Sequence, residues 1–193
     1  MIDSVSAAAY AFSLSESFKT VFRPWSKITP EEWACSVYRL PNGGKFSFDY
    51  CPYVKKMHAS IFDKTINEIV FQLYSRGLKS TVVLLAIGYT IDQSPRRILS
   101  LWPTNSQAEK WSKDNLCGEL LNTTPALNFL GNATGQRIAS NTLLHKQFPG
   151  GLIDMFGANA PGDMRRAKGS FLYADEIDAI DQTVTDEGDQ LAI

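Results

Sequence analysis

The sequence predicts an α/β domain: a mostly parallel sheet flanked by helices in three layers. Short apolar runs of strand length at residues 66–74, 97–102, 152–156 and 171–174 alternate with helical stretches at 80–91 and 107–121. Strands separated by helices pair in parallel through crossover connections. Size agrees with this, because 193 residues with 44% hydrophobic side chains can bury the core of one ordinary domain.

Residues 4–22 are rich in Ala, Ser and Phe, and Thr29-Pro30-Glu31-Glu32 offers an N-cap, a proline at the first helical position and two early acids. Two N-terminal helices are expected, forming a helical extension over 1–43 ahead of a main domain over 44–193. Leu40-Pro41-Asn42-Gly43-Gly44 reads as a turn, and Pro52 opens a helix running to Phe62. The run 66–74 carries Ile69, Val70, Phe71, Leu73 and Tyr74, as a strand buried on both faces would. After the apolar helix at 80–91, the strand 97–102 is broken by Pro103, and 107–121 is helical with Trp111 among its apolar positions. Between 122 and 142 the composition shifts to Asn, Thr, Gly and Ala, and short strands and loops are expected. Gly150-Gly151 precedes the strand 152–156, a loop or short helix covers 157–169, and Phe171-Leu172-Tyr173-Ala174 is the last strand. The acidic tail after Asp181 stops without a helix-ending signal, so the domain is expected to be cut on its C-terminal side.

Nineteen basic and twenty acidic residues give a net charge of -1, which carries no overall signal for nucleic acid or an anionic membrane. Any DNA contact must be local. Cys35, Cys51 and Cys117 have neither CxxC nor Cys/His spacing, which argues against a disulfide framework or zinc site and fits a reducing cytosol. His58 and His145 stand alone. The longest apolar run, 82–87, falls far short of the ~20 residues of a membrane helix, and no secretory leader is visible.

Two constellations carry chemistry. Ser75-Arg76-Gly77-Leu78-Lys79-Ser80-Thr81 lies between an expected strand and an expected helix. A phosphate site needs converging amides, a helix N-terminus, a lysine for the terminal phosphates and a hydroxyl for magnesium. Lys79 and Ser80 supply the last two. GxxxxGK[ST] is not met in full, since Leu78 stands where the second glycine belongs, and the segment also reads as a surface turn. The second constellation is the strand Phe171-Leu172-Tyr173-Ala174 ending in Asp175-Glu176. Asp175 can hold magnesium and Glu176 can polarise an attacking water, the form of a Walker B element. A solvated turn gives the same letters. The two in this order, about 95 residues apart, follow the layout of P-loop nucleotide hydrolases. Arg165 and Arg166 lie in a loop before the acidic strand, either as a cation for a phosphate on the same or a neighbouring subunit or as a solvated basic pair. Arg96 and Arg97 read as exposed turn charges, and Trp102 as core.

From about Gly44 onward the chain resembles the large terminase subunits of tailed phages, particularly the lambda-like branch. The likeness rests on Phe46-Ser47-Phe48-Asp49 with Pro52-Tyr53, Asn67-Glu68-Ile69-Val70, Leu84-Leu85, Gly88-Tyr89-Thr90-Ile91-Asp92, Trp102-Pro103-Thr104, Ala108-Glu109 and Asp175-Glu176-Ile177-Asp178, in letters and spacing. It implies a three-layer, ASCE-type P-loop NTPase that uses ATP and Mg2+ to drive double-stranded DNA into a procapsid. The cleaving nuclease of such proteins would lie beyond Ile193. By position, Lys79 is the phosphate-loop lysine, Ser80 the magnesium hydroxyl, Arg76 the basic residue inside the loop, Asp175 the magnesium acid, Glu176 the water-directing base and Arg165 an arginine presented to the adjacent subunit. Val54 stands where many relatives have a glutamine suited to adenine. The implied partners are the small terminase subunit, the portal of the procapsid and further copies in a ring, in the cytoplasm of the infected bacterial host. A helicase-like P-loop ATPase would share both constellations, and a non-enzymatic assembly module would tolerate Leu78.

Overall fold

A computed structural model describes residues 28–74, 77–121, 142–159 and 168–180. The first expected helix, Ser75, Arg76, the 122–141 stretch, Arg165, Arg166 and the acidic tail lie outside them.

Helix α1 (Pro30–Ser36) starts as its sequence dictates. The Thr29 hydroxyl accepts from the Glu32 amide while Glu32 reaches back to the Thr29 amide, with Pro30 in the first turn. Buried Trp33 donates its indole N–H to Asp92 at 2.7 Å, tying α1 to the far end of helix α3 (Lys79–Gln93). Gly43, at φ 79°, makes the turn before Lys45. Helix α2 (Pro52–Ile61) opens at Pro52 as expected and buries Val54 and His58. A buried Val54 belongs to the core and is withdrawn from any ligand. Helix α3 is apolar on nearly every side, burying 82–88, Thr90 and Ile91, as a central helix does. Each such large side chain contributes on the order of 1.5–3 kcal/mol when fully buried.

The strands β1 (Arg97–Trp102), β2 (His145–Phe148), β3 (Gly151–Gly157) and β4 (Phe171–Ala174) form one sheet in the order β2-β3-β1-β4. β1 pairs in parallel with β3 (Ile98↔Ile153) and with β4 (Ile98↔Phe171), and β2 pairs antiparallel with β3. Alternation along the strands puts Ile98, Trp102, Ile153, Met155, Phe171 and Tyr173 on one face, in a single core with α1, α2, α3 and helix α4 (Asn105–Trp111). α4 continues to Leu121 in the wider π-helical geometry, which seldom exceeds one turn. The opposite face bears a smaller cluster of Leu101, Ala158 and Ile180. The described residues thus form two of the three expected layers.

One expected element is absent. Residues 66–74 are not a strand: they run without regular structure, with Val70 74% and Tyr74 70% exposed, while Phe71 leans on the core. Their letters suit a strand, but a strand needs a ladder partner, and none of the described strands pairs with them. β2 went unread because His145-Lys146-Gln147-Phe148 has little apolar content. Its signal was the Pro149-Gly150 turn, where Gly150 takes φ 83°.

Candidate active site

Leu78 heads α3 in the left-handed region, at φ 61° and ψ 20°, and gives the helix no side-chain cap. The amides of Lys79, Ser80 and Thr81 therefore open the helix uncapped, with the positive end of a 15-residue helix behind them. Gly77 is buried and leaves this cradle, donating its own N–H to the Tyr74 carbonyl at 3.0 Å. A Cβ there would sit 2.9 Å from that carbonyl oxygen and 3.2 Å from the Leu73 Cβ, so the close turn requires glycine. Among the described residues the side chains of Lys79 and Ser80 pair with no acid and no acceptor.

The second part lies where β1, β3 and β4 end, the carboxyl edge at which open α/β sheets bind ligands. Gly157 lets the end of β3 meet Thr104 and Asn105, and its N–H donates to Asn105 Oδ1 at 2.7 Å. Thr104 caps α4. Asp175 follows β4 with both carboxylate oxygens held: Oδ2 accepts from the Tyr173 hydroxyl at 2.7 Å and Oδ1 from the Glu176 amide at 2.9 Å. Burial, and then the Asp175 charge, push the Tyr173 phenol far above its ordinary range, so it stays protonated and donates. Glu176 is exposed and lies at φ 50°. Its Oε2 accepts from Gln107 Nε2 at 3.1 Å.

Among the described residues only Leu78 and Glu176 are non-glycine residues with positive φ. Such backbone costs about 1–3 kcal/mol and gathers at functional sites, and here it marks both constellations. Leu78 and Tyr173 lean on the same core. No hydrogen bond or ion pair among the described residues joins Lys79 or Ser80 to Asp175 or Glu176, and the strand expected to bring the loop beside β4 is not formed.

Tyr173 and Gln107 were missed in the sequence, although Thr104-x-x-Gln107 has the letters of a capping box. Arg96 and Arg97 are not free turn charges. The Arg96 guanidinium lies 5.4 Å from the centre of the Phe171 ring, and Arg97 donates from Nε (3.1 Å) and Nη2 (2.6 Å) to Asp154, which His145 meets from the other side at 2.6 Å. The resemblance residues Ser47, Phe48, Asp49 and Pro52 line a groove with Glu31, Cys35 and Lys55, where Lys55 pairs with Glu31. Cys35, Cys51 and Cys117 are free thiols. No described helix is long and apolar enough to cross a membrane.

The chain holds a four-stranded α/β sheet with an acid pair on its carboxyl edge and, separately, an uncapped helix headed by a lysine and a serine, which are parts of a nucleotide-handling enzyme. The chain belongs to the family described as phage terminase large subunit gpA, ATPase domain, whose model matches residues 41–193. It is thus a terminase large-subunit ATPase region, of a family that works in phage DNA packaging. No curated protein and no solved structure matches it.

Proposed function

We propose that this domain binds ATP with Mg2+ at the start of α3 and hydrolyses it to translocate double-stranded DNA into a procapsid. The uncapped N-terminus of α3 carries this reading: three amides, a lysine and a serine follow a strained Leu78 at one helix end, and among the described residues no protein acceptor satisfies them. An anion supplies what the helix lacks. The donor set suits a nucleoside triphosphate, with Lys79 as counter-charge for the terminal phosphates. Ser80 and Asp175 offer the hard oxygens that magnesium prefers.

Ser80 and Asp175 would hold the magnesium, which would supply charge neutralisation during phosphoryl transfer. The remaining roles belong to the chain. Lys79 holds the terminal phosphates, and Ser75, Arg76, Gly77, Leu78 and Thr81 complete the phosphate loop of an ASCE-type P-loop fold. Tyr173 fixes the Asp175 carboxylate for the metal through its hydroxyl. Glu176 orients the water and takes its proton. Arg165 reaches the nucleotide of the next subunit in a homo-oligomeric ring, which assembles with the small terminase subunit and the portal in the host cytoplasm.

Titration with a fluorescent ATP analogue, with and without Mg2+, tests this. Magnesium-dependent binding that Lys79→Ala removes, with the fold intact, is expected. Equal binding by wild type and Lys79→Ala contradicts it. For Arg165, rings mixed from Arg165→Ala and Lys79→Ala subunits should regain hydrolysis at sites that join an intact lysine to an intact arginine. No recovery in rings shown to be mixed rules out the trans role.

A further inference from the structure

Gln107 lies on the first turn of α4, far in sequence from the acidic strand, yet its side-chain amide reaches Glu176. Both ends of that amide are engaged. The Thr104 hydroxyl accepts from the Gln107 backbone N–H at 3.3 Å and donates to Gln107 Oε1 at 3.1 Å. A carboxylate only accepts, so the NH2 end must face Glu176, which leaves Oε1 to take the Thr104 hydroxyl proton and assigns the amide orientation. The result is a chain from the Thr104 hydroxyl through the Gln107 amide to Glu176 Oε2, spanning the carboxyl ends of β1 and β4. Glu176 needs such a tether: it is exposed, it follows a strand end, and its backbone is left-handed. Oε1 of Glu176 has no partner among the described residues and is the oxygen the tether leaves free.

We infer that Gln107 is a positioning residue for hydrolysis, fixing one oxygen of the Glu176 carboxylate so that the other is presented to the attacking water. This rests on Glu176 being the base. The amide donates a neutral hydrogen bond to the carboxylate and neither gives nor takes a proton. Its contribution is orientation, on which proton transfer from water depends steeply.

Two substitutions separate positioning from structure. Gln107→Ala removes the donor. Gln107→Glu keeps size and shape and completes a Thr-x-x-Glu capping box with Thr104, so α4 keeps its start, but it sets an acceptor of like charge against Glu176. Supporting the inference, kcat for ATP hydrolysis falls about tenfold or more in both variants, with KM for ATP unchanged and the Tm of Gln107→Glu at or above wild type. Hydrolysis retained by Gln107→Glu, or accelerated by Gln107→Ala, overturns it. Glu176→Gln tests the underlying reading separately. If it leaves hydrolysis intact, Glu176 is not the base. If it abolishes hydrolysis while both Gln107 variants turn over normally, the role of Gln107 alone fails. The contact is also read without turnover: in 15N-labelled nucleotide-free protein, Glu176→Ala should move the Gln107 side-chain amide signals. Unmoved signals show that the tether is not made.

Discussion

Leu78 occupies backbone that favours glycine, and the comparison of Leu78→Gly with Leu78→Ala turns this into energy. At φ 61° a residue with a Cβ carries about 1–2 kcal/mol of strain. Alanine keeps that strain. Glycine relieves it but loses about 0.5–1 kcal/mol to its freer unfolded chain. Both substitutions give up the partly buried leucine side chain packed on the core, worth about 1 kcal/mol at half burial. Leu78→Gly should therefore unfold within about 1 kcal/mol of wild type, and Leu78→Ala about 1 kcal/mol below wild type. The order is diagnostic because an ordinary helical site favours alanine over glycine by about 1 kcal/mol. Urea unfolding of the three proteins at equal m-values reads it directly. Leu78→Ala at or above Leu78→Gly would refute the left-handed cap, and with it the strained loop on which the phosphate site is built.

Three further outcomes follow from named contacts. Burial lowers the His58 pKa from 6.5 to about 4. The fold thus favours the neutral ring, so stability is full above pH 6.5 and falls by up to about 3 kcal/mol as pH drops toward 4. Urea midpoints across that range should show the slope, and His58→Phe, filling a site between Phe48 and Phe62, should remove it. Asp154→Ala strips the acceptor from Arg97 and His145, both still partly in water, and should cost about 1–3 kcal/mol in unfolding free energy. An unchanged midpoint would show the clasp to be idle. Tyr173→Phe keeps the ring that packs on Trp102 and Trp111 and deletes only the hydroxyl on Asp175. Hydrolysis should fall and need more magnesium, with little change in fold, whereas wild-type magnesium dependence would detach Tyr173 from the site.

Much of this was legible because it is local. The Thr29 cap with Pro30, the Pro52 start of α2 and the strands β1 and β4 are set by residues within a few positions, and their letters sufficed. Segment 66–74 was misread because strand propensity describes only half of a strand, the other half being a partner that no local pattern contains. The expected helix after the Lys79-Ser80 pair is formed, and it begins at Lys79. The missing glycine at Leu78 became intelligible only through the positive φ, a property of backbone and not of letters. Tyr173 could have been found from its place two residues before Asp175 on the same strand face. The Gln107 contact could not, since it spans 69 residues and depends on how α4 docks on the sheet over β1 and β3. Nor does any letter pattern announce the π-helical turn of Ser112–Leu121.

The central claim is that the start of α3 receives a triphosphate. A crystal structure with a non-hydrolysable ATP analogue and magnesium tests it most directly. Phosphate oxygens within hydrogen-bond distance of the Lys79, Ser80 and Thr81 amides and of Lys79 Nζ, with the metal served by Ser80 and Asp175, are the predicted result. A nucleotide seated elsewhere, such as the groove between Glu31 and Lys55, with the α3 N-terminus left in water, would contradict it.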